Sequence, residues 1–113
     1  MRRGEVWLVN LDPTVGTEIS KTRPAVIVND DAIGILPLKV IVPVTDWKDR
    51  YTIRPWMVRL ESDATNGLTK TSAVDTFQVR SVSETRLTRK LGTLADADMG
   101  MVSEALAIVF GLR

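Results

Sequence analysis

The sequence contains neither cysteine nor histidine, and it has no long apolar run. The absence of cysteine excludes a disulfide framework, a thiolate metal site and a cysteine nucleophile, and it fits a reducing compartment. Without histidine, acid–base chemistry must use a carboxylate, a hydroxyl or a basic side chain. No stretch approaches the roughly 20 apolar residues of a membrane span, and EVWLVNLDP, which follows the basic MRRG, is too short and too polar for a signal sequence. We therefore expect a cytoplasmic protein without membrane association.

The charge is nearly balanced, with a formal net charge of +1, so no global positive field attracts the chain to a polyanion. The distribution along the chain is uneven, because residues 21–59 hold seven basic against four acidic side chains. This excess predicts either a local basic groove or an ordinary solvated face of mixed charge.

The composition is that of one globular domain, residues 1–113, with 44% hydrophobic and 26% charged residues. Short apolar segments, spaced almost regularly and separated by turn signals, predict a small and strongly twisted antiparallel sheet or barrel. Asn66-Gly67 is a favourable hairpin turn. Pro43, which cannot donate a ladder hydrogen bond, marks an edge or a bulge. The predicted strands are 5–11, 25–29, 39–45, 56–60 and 72–82, the last being one long or two bulged strands.

Helical signals are confined to the C-terminal third of the chain. Residues 83–92 predict a short helix, with Ser83 as N-cap and Gly92 after its end. Residues 96–111 show apolar side chains at steps of three and four, with Asp96 as a cap at the start and Gly111 at the end. The predicted architecture is mainly β, with an amphipathic C-terminal helix packed on a curled sheet.

The segment GTEISKTRPAVIV places an arginine at the start of a strand, after a long connection without periodicity (residues 12–23). Pro24 disfavours the helical region for Arg23 and holds it extended. A guanidinium preorganised in this way can grip a phosphate with two parallel donors. The alternative is a surface arginine that pairs with Glu18 or Asp75.

The block GEVWLVNLDPTVGTEISKTRPAVIV resembles the MazF/PemK (Kid) toxins of bacterial toxin–antitoxin systems. VIVPVT, SAVDTFQVRSV and the helix EALAIVFGL follow it in the family's order, so the resemblance covers nearly the whole chain. It implies a small SH3-like twisted antiparallel β-barrel of the CcdB/Kid/MazF type. It also implies a homodimeric, sequence-specific endoribonuclease. From the residues present, we expect this enzyme to cleave single-stranded RNA without a metal or another cofactor. The implied partner is a cognate antitoxin whose acidic C-terminal tail occupies the RNA groove.

Three catalytic candidates follow from this resemblance. Arg23 corresponds to the phosphate-gripping arginine, Thr45 to the threonine that bonds the scissile phosphate, and Glu18 to an acid, a base or a reader of bases. An Arg-x-Asp pair that some members carry ahead of Gln-x-Arg is not reproduced here, so the general base is unassigned. The predicted substrate-binding residues are Thr17, Lys21, Trp47, Lys48, Arg50, Asp75 and Gln78.

Aromatic and basic residues alternate in TDWKDRYTIRPW, residues 45–56. Bases of a single strand stack on aromatic faces while cations follow the phosphates, which favours an RNA-binding role for Trp47 and Arg50. Trp56, at the start of a strand, is predicted to lie in the core.

The residues present are suited to cleavage by the RNA's own 2′-hydroxyl. Arg23 stays protonated and can stabilise the extra negative charge on the phosphorus oxygens. Metal catalysis is not expected, because the only adjacent acidic pair, Asp30-Asp31, is better explained as a solvated turn.

Two other functions are compatible with this fold group. A DNA gyrase poison resembling CcdB would act through an aromatic-glycine-aliphatic C-terminus, and this chain ends in FGLR. A non-catalytic SH3-like nucleic-acid-binding module would use Arg23 only structurally.

Overall fold

The computed structural model describes residues 1–34 and 36–113 and shows seven strands followed by one helix. Three short 3₁₀ turns, Asp49–Ile53, Thr76–Gln78 and Glu84–Arg86, interrupt the strand succession. In chain order the main elements are β1 Glu5–Asn10, β2 Thr22–Ile27, β3 Leu38–Asp46, β4 Met57–Leu60, β5 Ser72–Asp75, β6 Arg80–Ser83, β7 Leu87–Thr93 and α1 Asp96–Val109.

All the strands form one antiparallel sheet in the order β4-β5-β3-β2-β1-β7, with β6 alongside β3. The long strand β3 changes partner along its length: Leu38–Ile41 pair with β6, and Val44–Asp46 pair with β5. Pro43 lies between these two paired segments, where its missing N–H interrupts neither ladder. The predicted segment 72–82 is therefore two strands on either side of a 3₁₀ turn.

The predicted mainly β class with a C-terminal helix is confirmed, but strand pairing does not close the sheet. Within residues 1–34 and 36–113, no ladder joins β4 to β7. The connection 61–71 fills this gap instead, and the Thr93 N–H donates to the Thr65 carbonyl at 2.9 Å. A Cβ on Gly92 would meet that carbonyl oxygen at 2.2 Å, so only glycine permits the approach. The predicted two-residue hairpin at Asn66-Gly67 is wrong, because both residues belong to this longer connection.

The core lies on both faces of the sheet, which explains why the strands are continuous apolar runs rather than alternating ones. One cluster, which includes Val26 and Val42, packs against Val102 and Ala105 of α1. The second cluster covers the opposite face and contains Val9, Leu11, Ala25, Ile27, Ile41, Val82 and Leu87.

The predicted helix 83–92 is wrong. The Ser83 hydroxyl accepts a hydrogen bond from the Thr85 N–H, as a cap does, but the turn it caps ends at Arg86. The chain then continues as β7, whose backbone pairs with β1 and whose Leu87 enters the second core cluster. Pairing and burial thus override the local helical signal.

The second predicted helix is present, with small differences at both ends. Ala95 rather than Asp96 occupies the N-cap position, and Phe110, expected on the apolar face, lies beyond the last turn and is 58% exposed. In the described part of the chain, no helix has the length and apolar character needed to cross a membrane.

Candidate functional site

Arg23 and Thr45 lie beside each other where β2 begins and β3 ends. The β2–β3 ladder ends at the pair Ala25 and Pro43, and its register, if continued by two residues, would set Arg23 opposite Thr45. Directly opposite residues of an antiparallel pair point to the same face. Both are half-buried, and both line a cavity of about 310 Å³. The structure therefore brings together two catalytic candidates that are far apart in sequence.

The Arg23 guanidinium is not committed to an acidic partner. Its Nε donates a long hydrogen bond of 3.4 Å to the Ser20 carbonyl. Among the described residues, no salt bridge joins Arg23 to Glu18 or Asp75, which was the structural alternative. Its donors can therefore reach a bound anion.

The connection 11–21 is closed at its base by the chain itself. The Leu11 N–H donates to the Lys21 carbonyl at 2.9 Å, and the Asp12 carboxylate accepts from the Lys21 N–H at 3.1 Å. Lys21 has a φ of 69°, in the left-handed region, and its side chain is exposed. This backbone conformation, which is unfavourable for lysine, is stabilised by the two hydrogen bonds.

Glu18 and Thr17 are exposed near the tip of this connection, in a depression of about 440 Å³. Pro43 and Leu11 also line it, and Pro43 shares a strand face with Thr45, about 7 Å away along β3. The Glu18 carboxylate accepts from the Val15 N–H at 2.6 Å, so it is folded back on its own turn. Glu18 and the Arg23–Thr45 pair thus line two different cavities, and among the described residues no hydrogen bond or salt bridge joins them.

Gln78 reaches this connection from the other side of the molecule. Its Oε1 accepts from the Ile19 N–H at 2.6 Å, and its Nε2 donates to the Thr17 carbonyl at 3.3 Å. The predicted substrate-binding amide is therefore engaged with the protein's own backbone.

Two arginines that were not among the predicted site residues bind the start of the connection. Arg80 Nη1 donates to the Leu11 carbonyl at 3.2 Å, and Arg86 Nη1 donates to the Asn10 and Asp12 carbonyls. Arg80 belongs to the Gln-x-Arg motif, which is the signal that could have identified it.

Asp75 lies inside the protein, with 6% of its surface exposed, so its carboxylate does not face the solvent as a substrate-binding group would. It caps the turn Thr76–Gln78 by accepting from the Phe77 N–H at 3.1 Å. Burial raises the pKa of this carboxyl, while hydrogen bonds from Phe77 and Gln78 and the charge of Arg54 oppose the rise.

Trp47 forms part of a cluster of aromatic and cationic side chains. Its ring meets Tyr51 edge-to-face at 5.8 Å, and the Arg59 guanidinium carbon lies 5.2 Å from its centroid. Arg50 and Arg54 lie over the Tyr51 ring. The Trp47 indole N–H is buried, without a hydrogen-bond partner in residues 1–34 and 36–113. The ring that was predicted to stack on a base is therefore already partly covered.

Lys48 is exposed beside this cluster, and Trp56, predicted to be core, is half-buried with its ring 5.8 Å from that of Phe77. Across the described part of the chain, no group of three or more carboxylates is close enough to hold a metal ion.

Comparison with known proteins identifies the family. Residues 2–110 match the model of the PemK-like, MazF-like toxins of type II toxin–antitoxin systems. The chain belongs to this family. The endoribonuclease MazF9 of Mycobacterium tuberculosis is 35% identical over 114 residues, covering 96% of this chain and 94% of its own length. The endoribonuclease PemK of Escherichia coli is 34% identical over 109 residues, covering 94% and 82%.

Solved structures of the family share the fold. A crystal structure of MazF from Deinococcus radiodurans has a TM-score of 0.80 at 23% identity, covering 98% of this chain and 96% of its own. A mycobacterial endoribonuclease in complex with its cognate antitoxin has a TM-score of 0.79 at 23% identity, covering 100% and 97%. The curled sheet with its C-terminal helix is thus the MazF architecture.

Proposed function

We propose that this MazF-family protein is a sequence-specific endoribonuclease that cleaves single-stranded RNA without a metal, and that it is the toxin of a toxin–antitoxin pair. The main supporting observation is that Arg23, at the start of β2, and Thr45, at the end of β3, line the same cavity, in a chain whose relatives are named endoribonucleases. No observation favours the gyrase-poison or the non-catalytic alternative.

The chemistry proposed is an internal attack. The 2′-oxygen of the nucleotide preceding the scissile phosphate bonds to phosphorus, and the 5′-oxygen of the next nucleotide leaves with a proton. The products are a 2′,3′-cyclic phosphate and a 5′-hydroxyl. Arg23 stabilises the negative charge that develops on the phosphorus oxygens, since a guanidinium does not give up its proton in this role.

Thr45 adds a hydroxyl hydrogen bond to the same phosphate. Glu18 is the carboxylate proposed to accept the 2′-hydroxyl proton, for which it would exchange its hydrogen bond from the Val15 N–H. The exposed Lys21, Lys48 and Arg50 supply positive charge for neighbouring phosphates.

The proposed partner of the free toxin is an antitoxin with an acidic tail, which would cover the surface proposed to bind RNA. A relative of known structure is described as an endoribonuclease in complex with its cognate antitoxin. We also expect a homodimer, because Phe77, Met101 and Phe110 leave large apolar side chains 68%, 47% and 58% exposed. A sedimentation mass of the monomer, 12.5 kDa, at micromolar concentration would contradict this expectation.

The deciding experiment uses a defined single-stranded RNA that the protein cleaves and the same RNA with one 2′-deoxynucleotide before the scissile phosphate. We expect cleavage of the first, none at that bond of the second, and no effect of excess chelator. Cleavage of the deoxy-substituted bond, or arrest by chelator, would refute the internal, metal-independent attack. Inhibition of supercoiling by gyrase without RNA cleavage would support the CcdB-like alternative, and inactivity in both assays the non-catalytic one.

A further inference from the structure

The Gln78 side chain uses both ends of its amide to hold the tip of the connection 11–21. The Ile19 N–H donates to its oxygen at 2.6 Å, and its nitrogen donates to the Thr17 carbonyl at 3.3 Å. These two backbone groups flank Glu18. The amide of Gln78 therefore grips the chain on both sides of the catalytic carboxylate candidate, from 59 and 61 residues away in sequence.

Gln78 is the last residue of the turn Thr76–Gln78, whose backbone is fixed by hydrogen bonds to neighbouring segments. The Thr76 hydroxyl donates to the Trp56 carbonyl at 2.6 Å, and Thr76 is fully buried. The buried Asp75 carboxylate caps the same turn through the Phe77 N–H. The backbone of Gln78 is thus already ordered, and its hydrogen bonds to the connection cost only the rotamer freedom of the side chain.

The tip of the connection has little else to hold it. Its other hydrogen bonds are local, such as those between Val15 and Glu18. Arg80 and Arg86 bind only the stem, at residues 10–12. Within residues 13–19, as described, the two hydrogen bonds of Gln78 are the only ones to a distant part of the chain, and Ile19 alone packs against a core cluster.

We propose that Gln78 is a positioning residue, which sets the place of Glu18 and Thr17 relative to Arg23 and Thr45 rather than binding RNA itself. The effect on catalysis rests on the proposed ribonuclease function. The effect on the connection does not, because it concerns the free protein. A carboxylate displaced by about 1 Å from its working position can lower a reaction rate substantially, since catalysis depends on aligned groups.

The first measurement follows amide hydrogen exchange of the RNA-free protein by NMR. In Gln78→Leu and Gln78→Ala, we expect the Ile19 N–H to lose at least about tenfold of its protection, because its acceptor is gone. In Gln78→Glu the acceptor remains, so Ile19 should keep most of its protection. The matched control is Asn29→Leu, which removes the acceptor of the Val40 N–H and should leave Ile19 unchanged.

The second measurement compares kcat with the affinity for an uncleavable 2′-deoxy-substituted RNA. For both Gln78→Leu and Gln78→Ala, we expect kcat to fall about tenfold or more and the dissociation constant of the uncleavable RNA to change less than about threefold. Gln78→Glu should restore part of kcat.

The outcomes distinguish a positioning role of Gln78 from a direct role in RNA binding. Unchanged Ile19 exchange in the variants overturns the positioning role. A rise in the dissociation constant that matches the loss of kcat/KM assigns Gln78 to RNA binding instead, and lost protection with full kcat refutes the catalytic consequence. If the native protein cleaves no RNA, the ribonuclease proposal fails, while the exchange measurement still decides whether Gln78 holds the connection.

Discussion

The two long connections of this protein, residues 11–21 and 61–71, have the same length and are used in different ways. The second is built into the fold. Asn66 is 1% exposed, its oxygen accepts from the Asp63 and Leu68 N–H groups, and its nitrogen donates to the Glu61 carbonyl. The first connection has an exposed tip, including Glu18, which a single distant side chain holds.

This difference shows that length and composition do not reveal what a connection does. Both segments are polar, and both contain a glycine with positive φ, Gly16 and Gly67. In residues 61–71 the polar groups satisfy the backbone and replace the missing strand pairs between β4 and β7. In residues 11–21 the hydrogen bonds are concentrated at the stem, so the tip can present side chains to a ligand.

The largest effect is expected from replacing Arg23, which follows the connection 11–21 at the start of β2. Arg23→Ala should reduce cleavage at least about a hundredfold, equivalent to about 3 kcal/mol of lost transition-state stabilisation. Folding should be preserved, because within residues 1–34 and 36–113 the guanidinium makes one long hydrogen bond, to the Ser20 carbonyl. Single-turnover cleavage and circular dichroism measure the two effects.

A matched arginine serves as control. Arg2 is exposed and pairs at 3.9 Å with Asp31, so Arg2→Ala should leave cleavage nearly unchanged. Near-native turnover of Arg23→Ala, or loss of its folded spectrum, would contradict the assignment.

The corresponding substitution in the connection 61–71 replaces the buried Asn66. Asn66→Ala should lower the free energy of unfolding by roughly 2 kcal/mol or more, because it removes a buried amide that bonds the Asp63 and Leu68 N–H groups and the Glu61 carbonyl. Cleavage per folded molecule should not change. Urea denaturation followed by fluorescence measures the first quantity.

Thr14→Ala provides the control from the first connection, since the Thr14 hydroxyl makes only one long bond, of 3.4 Å, to Asp12. We expect its stability to stay within about 0.5 kcal/mol of the native value. If Thr14→Ala were as destabilising as Asn66→Ala, the two connections would not differ as argued.

The smallest predicted effect concerns the turn that supports Gln78. Because burial raises the folded-state pKa of Asp75 above its usual value of 3.8, ionisation opposes folding. The protonated Asp75 carboxyl therefore contributes fully to the free energy of unfolding below about pH 4. This contribution is lost as the pH rises through the folded-state pKa of Asp75. Asp75→Asn keeps an acceptor for the Phe77 N–H and removes this loss, so it should gain stability relative to the native protein between pH 4 and pH 7.

The measurement compares urea midpoints of both proteins at the two pH values, with Asp49→Asn as a charge-matched, exposed control. An Asp75→Asn difference that stays constant or reverses over this range would refute the prediction. Glu5 is also buried, but hydrogen bonds from Trp7, Arg2 and Lys90 outweigh the burial and lower its pKa to about 2. Burial alone therefore does not decide the direction of a pKa shift.

Much of the fold could be predicted from local patterns. A strand buried on both faces has a continuous run of apolar residues, which made β1, β2 and β3 recognisable. A helix buried on one side has apolar residues at steps of three and four, which made α1 recognisable. The segment 83–92 was not, because Ser83 and Gly92 are genuine local helix signals. What makes it a strand is its pairing with β1, where Thr88 and Leu8, which are hydrogen-bonded, lie 80 residues apart in sequence.

In the candidate site, too, some features follow from the local sequence and others from packing between distant segments. Pro24, a direct neighbour of Arg23, restricts its backbone, so the sequence by itself determined that this arginine would be extended at a strand entrance. Only the tertiary structure decided that Thr45 lines the same cavity, that Asp75 is buried, and that Gln78 contacts the backbone on both sides of Glu18. The physical reason is that strand register and the close approach at Gly67 and Gly92 depend on packing between distant segments, and no local property of those segments records which partner they meet.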